Sequence, residues 1–149
     1  MRPLLLRLKD FGSYADAELN LSGLSVAGLF GPNGGGKSTI IEALLWALFG
    51  EGTRGGRKSL DAYVRKGADE CAVELTFLLQ GNTYKVARSR NAAKGKSVLD
   101  FQQLVDGEWV ERGAKSLADT QSVIEGALKL SYDTLTACET ADAVLLGAV

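Results

Sequence analysis

Gly31-Pro32-Asn33-Gly34-Gly35-Gly36-Lys37-Ser38 runs directly into Thr39-Ile40-Ile41-Glu42-Ala43-Leu44-Leu45-Trp46-Ala47-Leu48-Phe49, and Gly50 closes the run. The first eight residues fit the spacing G-x-x-x-x-G-K-[ST] in full. Glycines remove the Cβ atoms that would keep a backbone from wrapping a phosphate, and they permit positive φ where the loop needs it. Successive main-chain N–H groups then converge into an anion-binding nest. The eleven residues after the loop contain neither Gly nor Pro and are rich in Leu, Ala and Glu, so they predict a helix about 16 Å long. Its N-terminal amides and dipole add positive potential at the loop. The helix is apolar nearly all round and is expected between packed layers. Gly50 suits the position just past a helix end.

This geometry assigns roles to Pro32, Asn33, Gly34, Gly35, Gly36, Lys37, Ser38 and Thr39 as a polyphosphate cradle. Lys37 reaches the β- and γ-phosphates as a point charge, the Ser38 hydroxyl is a ligand for Mg2+, and Thr39 sits beside the α-phosphate. ATP with Mg2+ is the cofactor pair this implies.

Upstream, Leu24 to Phe30 is a short apolar run between Gly23 and Gly31 and reads as a buried strand feeding the loop. Leu4 to Phe11 and Ala17 to Leu21 alternate polar and apolar residues around Gly12-Ser13-Tyr14, which predicts an N-terminal hairpin. Downstream, Ala72 to Leu79 and Thr83 to Arg88 form a second hairpin around Gln80-Gly81-Asn82. Phe101 to Val105 and Glu108 to Glu111 form a third around Asp106-Gly107, a dipeptide suited to a type I′ turn. A helix is expected from Ser116 to Leu130, and helical character from Asp133 to Val149. The fold class is α/β, with a mixed sheet and antiparallel hairpins.

The chain has 149 residues, enough for one domain, so 1–149 is taken as a single lobe. Its 46% hydrophobic and 23% charged residues exclude a disordered chain. No apolar run is long enough to span a bilayer and no signal-peptide pattern opens the sequence, so the expected location is cytoplasmic, away from any membrane. There is no histidine, which excludes His-based triads and imidazole metal sites. The net charge of −1 supplies no global attraction to nucleic acid. Cys71 and Cys138 lack metal-ligand spacing and basic neighbours, and read as structural thiols.

Two basic clusters, Arg54-Arg57-Lys58 in a stretch with four glycines and Arg88-Arg90-Lys94-Lys96, fit either phosphate contacts or solvated loops; the solvated reading is the commoner for such clusters. Trp46 and Trp109 read as packing residues. Glu42, one helical turn beyond Ser38, reads as an ordinary helix carboxylate or as a group behind the metal ligand. Leu21-Ser22-Gly23-Leu24 precedes the loop and is in the wrong order to be an LSGGQ signature. No apolar strand ending in Asp-Glu follows, so no residue is assigned a catalytic role.

Four stretches together resemble the N-terminal ATP-binding half of the SbcC family, SMC-like DNA repair ATPases. They are Leu6 to Tyr14; Gly31 to Leu44 with Leu48-Phe49-Gly50; Tyr63 to Ala68 followed by Val73 to Phe77; and Gly81 to Ser89. The order of the pieces carries the likeness, since the phosphate loop alone is widely shared. The resemblance implies a P-loop NTPase half-domain, the N-terminal lobe of an ABC-type head. Val64, Arg65 and Lys66 then fall in the segment that reaches the nucleotide.

It also implies ATP hydrolysis once a C-terminal half supplies the signature motif, the metal-binding Asp and the catalytic Glu. The implied partners are that half, a second head, an SbcD-like nuclease subunit and DNA, in double-strand-break repair. The coiled coil of such proteins does not begin within these residues, so the chain is expected to be a fragment or truncation. Two positions depart from the family pattern. Gly12 stands where relatives often carry Arg, and the magnesium-binding Gln is not found near Tyr132. A small P-loop phosphotransferase and an inactive fragment are the alternative readings.

Overall fold

The computed structural model describes residues 1–24, 28–32, 34–52 and 60–136. Six strands form one sheet in the order β2-β1-β3-β4-β5-β6. They are β1 (Arg2–Phe11), β2 (Tyr14–Asn20), β3 (Glu70–Leu79), β4 (Asn82–Asn91), β5 (Lys96–Val105) and β6 (Glu108–Glu111). The helices are α1 (Lys37–Phe49), α2 (Leu117–Leu128) and the short α3 (Tyr132–Thr136), with a 3-10 turn at Leu60–Tyr63. The class is α/β, as expected. Every pairing among the described strands is antiparallel, so the parallel share of a mixed sheet is not found there.

Alternation decides which face of the sheet is covered. Leu6, Leu8 and Phe11 of β1, Cys71, Val73, Leu75 and Phe77 of β3, and Leu99 and Phe101 of β5 are buried. The intervening residues point to the other face, where Arg7 bonds Glu18 at 2.7 Å and Glu74 at 3.2 Å across three strands. That triplet is exposed and adds little stability. The two downstream hairpin turns carry positive φ at both central residues, Gln80 (50°) with Gly81 (80°) and Asp106 (51°) with Gly107 (83°). This is the type I′ backbone, whose twist matches that of the strands it joins.

Helix α1 lies on the covered face against β1, β3 and β4, with α2 alongside. Ten of its thirteen residues are buried, in keeping with its all-round apolar sequence. Its C-terminal end is closed by groups from three places. Gly50, at φ 70°, donates its N–H to Trp46 O at 2.8 Å. Arg88 Nε donates to Ala47 O at 3.3 Å, and Gln121 Nε2 to Leu48 O at 2.9 Å. The guanidinium also lies 5.9 Å from the Trp46 ring. Carbonyls that a helix end leaves without intrahelical partners are thereby satisfied, by a cation suited to the negative end of the dipole. Helix α2 starts at Ser116, whose Oγ accepts from Asp119 N at 3.1 Å.

Four expectations are corrected. The expected buried strand Leu24 to Phe30 is not seen in its described part: residues 25–27 lie outside the described set, while Leu24 and residues 28–30 are not in a strand, and Leu24, Leu29 and Phe30 are exposed, Phe30 to 95%. An apolar run is buried as a strand only with a pairing edge and cover on both faces, and the described residues leave Leu29 and Phe30 uncovered. Residues 88–96 are not one polar loop. β4 continues to Asn91 and β5 begins at Lys96, because the strand registers extend from Arg88↔Leu99 to Asn91↔Lys96.

Third, Arg88 is not on a solvated face; it is 6% exposed and serves the end of α1. Fourth, Glu42 is no ordinary surface carboxylate, being buried against Tyr63. Trp46 is core, as expected, and Trp109 is half-exposed beneath Lys85 Nζ at 4.5 Å. Arg54, Arg57, Lys58, Cys138 and the chain beyond Thr136 lie outside the described residues.

Candidate functional site

Two glycines of the loop use the backbone freedom that the residue gives. Gly34 and Gly36 have φ of 82° and 88°, in the left-handed region, and Gly36 is the residue from which α1 departs. Gly35 N donates to Pro32 O at 3.1 Å and Thr39 N to Gly36 O at 3.1 Å, which folds the loop back on itself. The Lys37 ammonium donates to Gly31 O and, at 3.1 Å, to Pro32 O, so it lies across the loop. Ser38 is exposed at the start of α1, whereas Thr39 is buried. Asn33 lies outside the described residues.

The β1–β2 turn packs against this loop. A Cβ on Gly36 would fall 2.8 Å from Ser13 Oγ and 2.9 Å from the Tyr14 hydroxyl, and one on Gly12 would fall 2.5 Å from Thr39 Cγ2. The Tyr14 hydroxyl donates to Gly36 O at 3.4 Å. Only glycine permits these approaches, and both positions also carry positive φ.

The same turn brings in the third segment. Gly12 N donates to Tyr63 O at 2.8 Å, Phe11 forms a bridge with Val64, and Arg65 N donates to Asp10 O at 2.8 Å. Arg65 Nε reaches Asp10 Oδ1 at 2.9 Å, while Lys66 is exposed. Thus the loop 34–39 and the strip Val64–Lys66 flank one turn, Asp10–Tyr14, that touches both. Sequence reasoning missed the part played by Ser13 and Tyr14, for which a turn beside an alternating strand leaves no chemical signal.

A groove of about 430 Å³ crosses the opposite, open face of the sheet, floored by Ala72, Ala87 and Ser89. None of residues 31–39 or 64–66 lines it. Gly31, Pro32, Gly34, Gly35 and Ser38 of the loop are exposed. Among the described residues there is no group of three or more His, Cys, Asp and Glu that could hold a metal ion.

The sequence profile of the AAA domain matches residues 5–138. The chain belongs to the AAA domain family. It is 36% identical over 140 residues to the SbcC subunit of the nuclease SbcCD from Deinococcus radiodurans, covering 93% of this chain and 15% of that protein. It is 32% identical over 136 residues to the protein of the same name from Staphylococcus aureus strain MRSA252, covering 84% of this chain and 14% of that one. The chain therefore spans about one seventh of the curated relatives it matches. Among solved structures, the SMC head domain from Thermotoga maritima matches with a TM-score of 0.45 and 25% identity, covering 74% of this chain and 39% of that one. The likeness to the N-terminal ATP-binding half of SbcC, expected from the sequence, is borne out. No helix among the described residues is long and apolar enough to cross a membrane.

Proposed function

We propose that this AAA-family chain binds ATP with Mg2+ through Pro32–Thr39, with Val64, Arg65 and Lys66 bordering the nucleotide. The observation that carries this is the left-handed backbone at Gly34 and Gly36 at the mouth of the buried helix α1. A polyphosphate lying there meets main-chain amides and the positive end of the helix dipole. The Lys37 ammonium exchanges its bonds to Gly31 O and Pro32 O for charge-assisted bonds to phosphate. On this reading the Ser38 hydroxyl ligates Mg2+, and its exposure at the helix start supports that role.

We further propose that the chain acts within an SbcC-like assembly in double-strand-break repair. There a C-terminal half and a second head supply the hydrolytic groups, and an SbcD-like nuclease subunit and DNA are the partners, in the cytoplasm. The name carried by the relatives supports this, and so do the exposed apolar side chains Leu24, Leu29 and Phe30 just before the loop, which suit docking against further strands.

Titration of Mg-ATP into the wild-type chain and Lys37→Ala tests the binding claim. The expected result is an affinity at least about tenfold lower in the variant, as for loss of a charge-assisted bond. Equal affinities would overturn the proposal.

A further inference from the structure

The strip Val64–Lys66 has little secondary structure of its own; Val64 and Arg65 tie it to the β1–β2 turn, and Tyr63, the residue before it, ties it to helix α1. The Tyr63 carbonyl accepts from Gly12 N at 2.8 Å. Its ring stacks on Phe11 with centroids 5.3 Å apart and planes 8° from parallel, and it lies 5.9 Å from the Trp46 ring. Its hydroxyl donates to Glu42 Oε2 at 3.2 Å. Tyr63 is 2% exposed and Glu42 4% exposed, so this polar contact is made inside the core.

Glu42 stands one helical turn beyond Ser38 on the same face of α1, so the contact joins the helix that opens from the phosphate loop to the strip at its side. A core contact of this kind is directional, unlike the ring packing around it, and fixes one distance between two segments far apart in sequence. Gly52 lies directly over it. A Cβ there would fall 2.2 Å from Glu42 Oε2 and 2.3 Å from the Tyr63 hydroxyl. The chain crosses the pair only because that position carries no side chain.

We propose that Tyr63 and Glu42 are positioning residues of the candidate nucleotide site, holding Val64–Lys66 at a fixed offset from the phosphate loop. This rests on the nucleotide-binding reading above. Neither residue touches the phosphates. Breaking the contact therefore weakens recognition of the nucleoside part of the ligand and leaves the polyphosphate cradle intact.

The test compares the affinity of the full 149-residue chain for Mg-ATP and for Mg-tripolyphosphate, which has the phosphates and no nucleoside. Tyr63→Phe removes the donor, and Gly52→Ala wedges the pair apart from a different position. Each is expected to lower Mg-ATP affinity about tenfold, the scale of one buried hydrogen bond, and to hold Mg-tripolyphosphate within about twofold. Equal losses on both ligands mean a merely structural role and overturn the proposal, as does unchanged Mg-ATP binding in either folded variant. Lys37→Ala is the control that separates the two claims. It weakens both ligands if the phosphate loop binds, and if it weakens neither, the nucleotide reading fails and this inference falls with it.

Discussion

Gly12 and Thr39 stand too close for any side chain between them. A Cβ built on Gly12 falls 2.5 Å from Thr39 Cγ2, and the residue has φ of +57°. Gly12→Ala is expected to lower the unfolding free energy by about 2–4 kcal/mol, combining left-handed strain with overpacking at the head of α1. Gly12→Arg, which places the family's frequent arginine here, should be at least as damaging. Denaturant unfolding of both variants checks this, and an unchanged midpoint would show that the turn and the helix separate freely.

Arg88 is a buried cation whose work is at a helix end. Burial lowers its pKa to about 10, which leaves it charged at neutral pH. Arg88→Met fills much of the same volume but leaves Ala47 O and the Gln121 amide without their guanidinium partner. The expected loss is about 1–3 kcal/mol, the cost of unsatisfied buried polar groups, read as a lower thermal midpoint. A gain in stability would instead mean that removing the charge from the core outweighs those bonds.

Cys71 is expected to be chemically silent in the native chain. Burial pushes its thiol up from 9.0 to about 12, so almost none is thiolate at pH 8. In a Cys138→Ser background, a disulfide reagent at pH 8 should react slowly until denaturant is added; fast reaction without denaturant contradicts the burial. The native state holds this proton more tightly than the unfolded chain. Its contribution is intact below pH 9 and is lost as pH rises toward 12, by on the order of 1 kcal/mol per pH unit. Cys71→Ala should remove that part of the alkaline destabilisation.

Hydrolysis is expected to be slow. No residue of the chain is assigned a catalytic role, and the sequence contains no apolar strand ending in Asp-Glu. Turnover of ATP by the isolated chain should stay below about 1 s⁻¹, the lower end of ordinary enzymes. A radiolabelled phosphate-release assay reads this directly, and turnover above that rate would place the hydrolytic groups within these residues.

The legible parts of this molecule were those where a local pattern and its tertiary setting agree. The run Thr39–Phe49 and the Asp106-Gly107 turn are written in helix composition and in turn chemistry, and both formed where expected. Leu24–Phe30 misled because an apolar run reports only a demand for cover, and the described elements leave Leu29 and Phe30 exposed. Arg88 misled for the opposite reason: a basic residue beside other basic residues resembles solvated surface, and only the placement of the α1 C-terminus shows what the charge is for. Within the site, the positive φ of Gly34 and Gly36 was legible in the glycine spacing. The packing of Ser13 and Tyr14 on Gly36, and of Tyr63 on Glu42, was not, because contacts between segments far apart in sequence leave no periodic trace.

Amide shifts measured by ¹H–¹⁵N correlation during titration with Mg-ATP test the central claim most directly. The account predicts that the N–H signals of Gly34, Gly35, Gly36, Lys37 and Ser38 move furthest and saturate together, as phosphate oxygens enter the nest and the ammonium leaves Pro32 O. Saturating shifts confined to other residues, with these five unmoved, would contradict it.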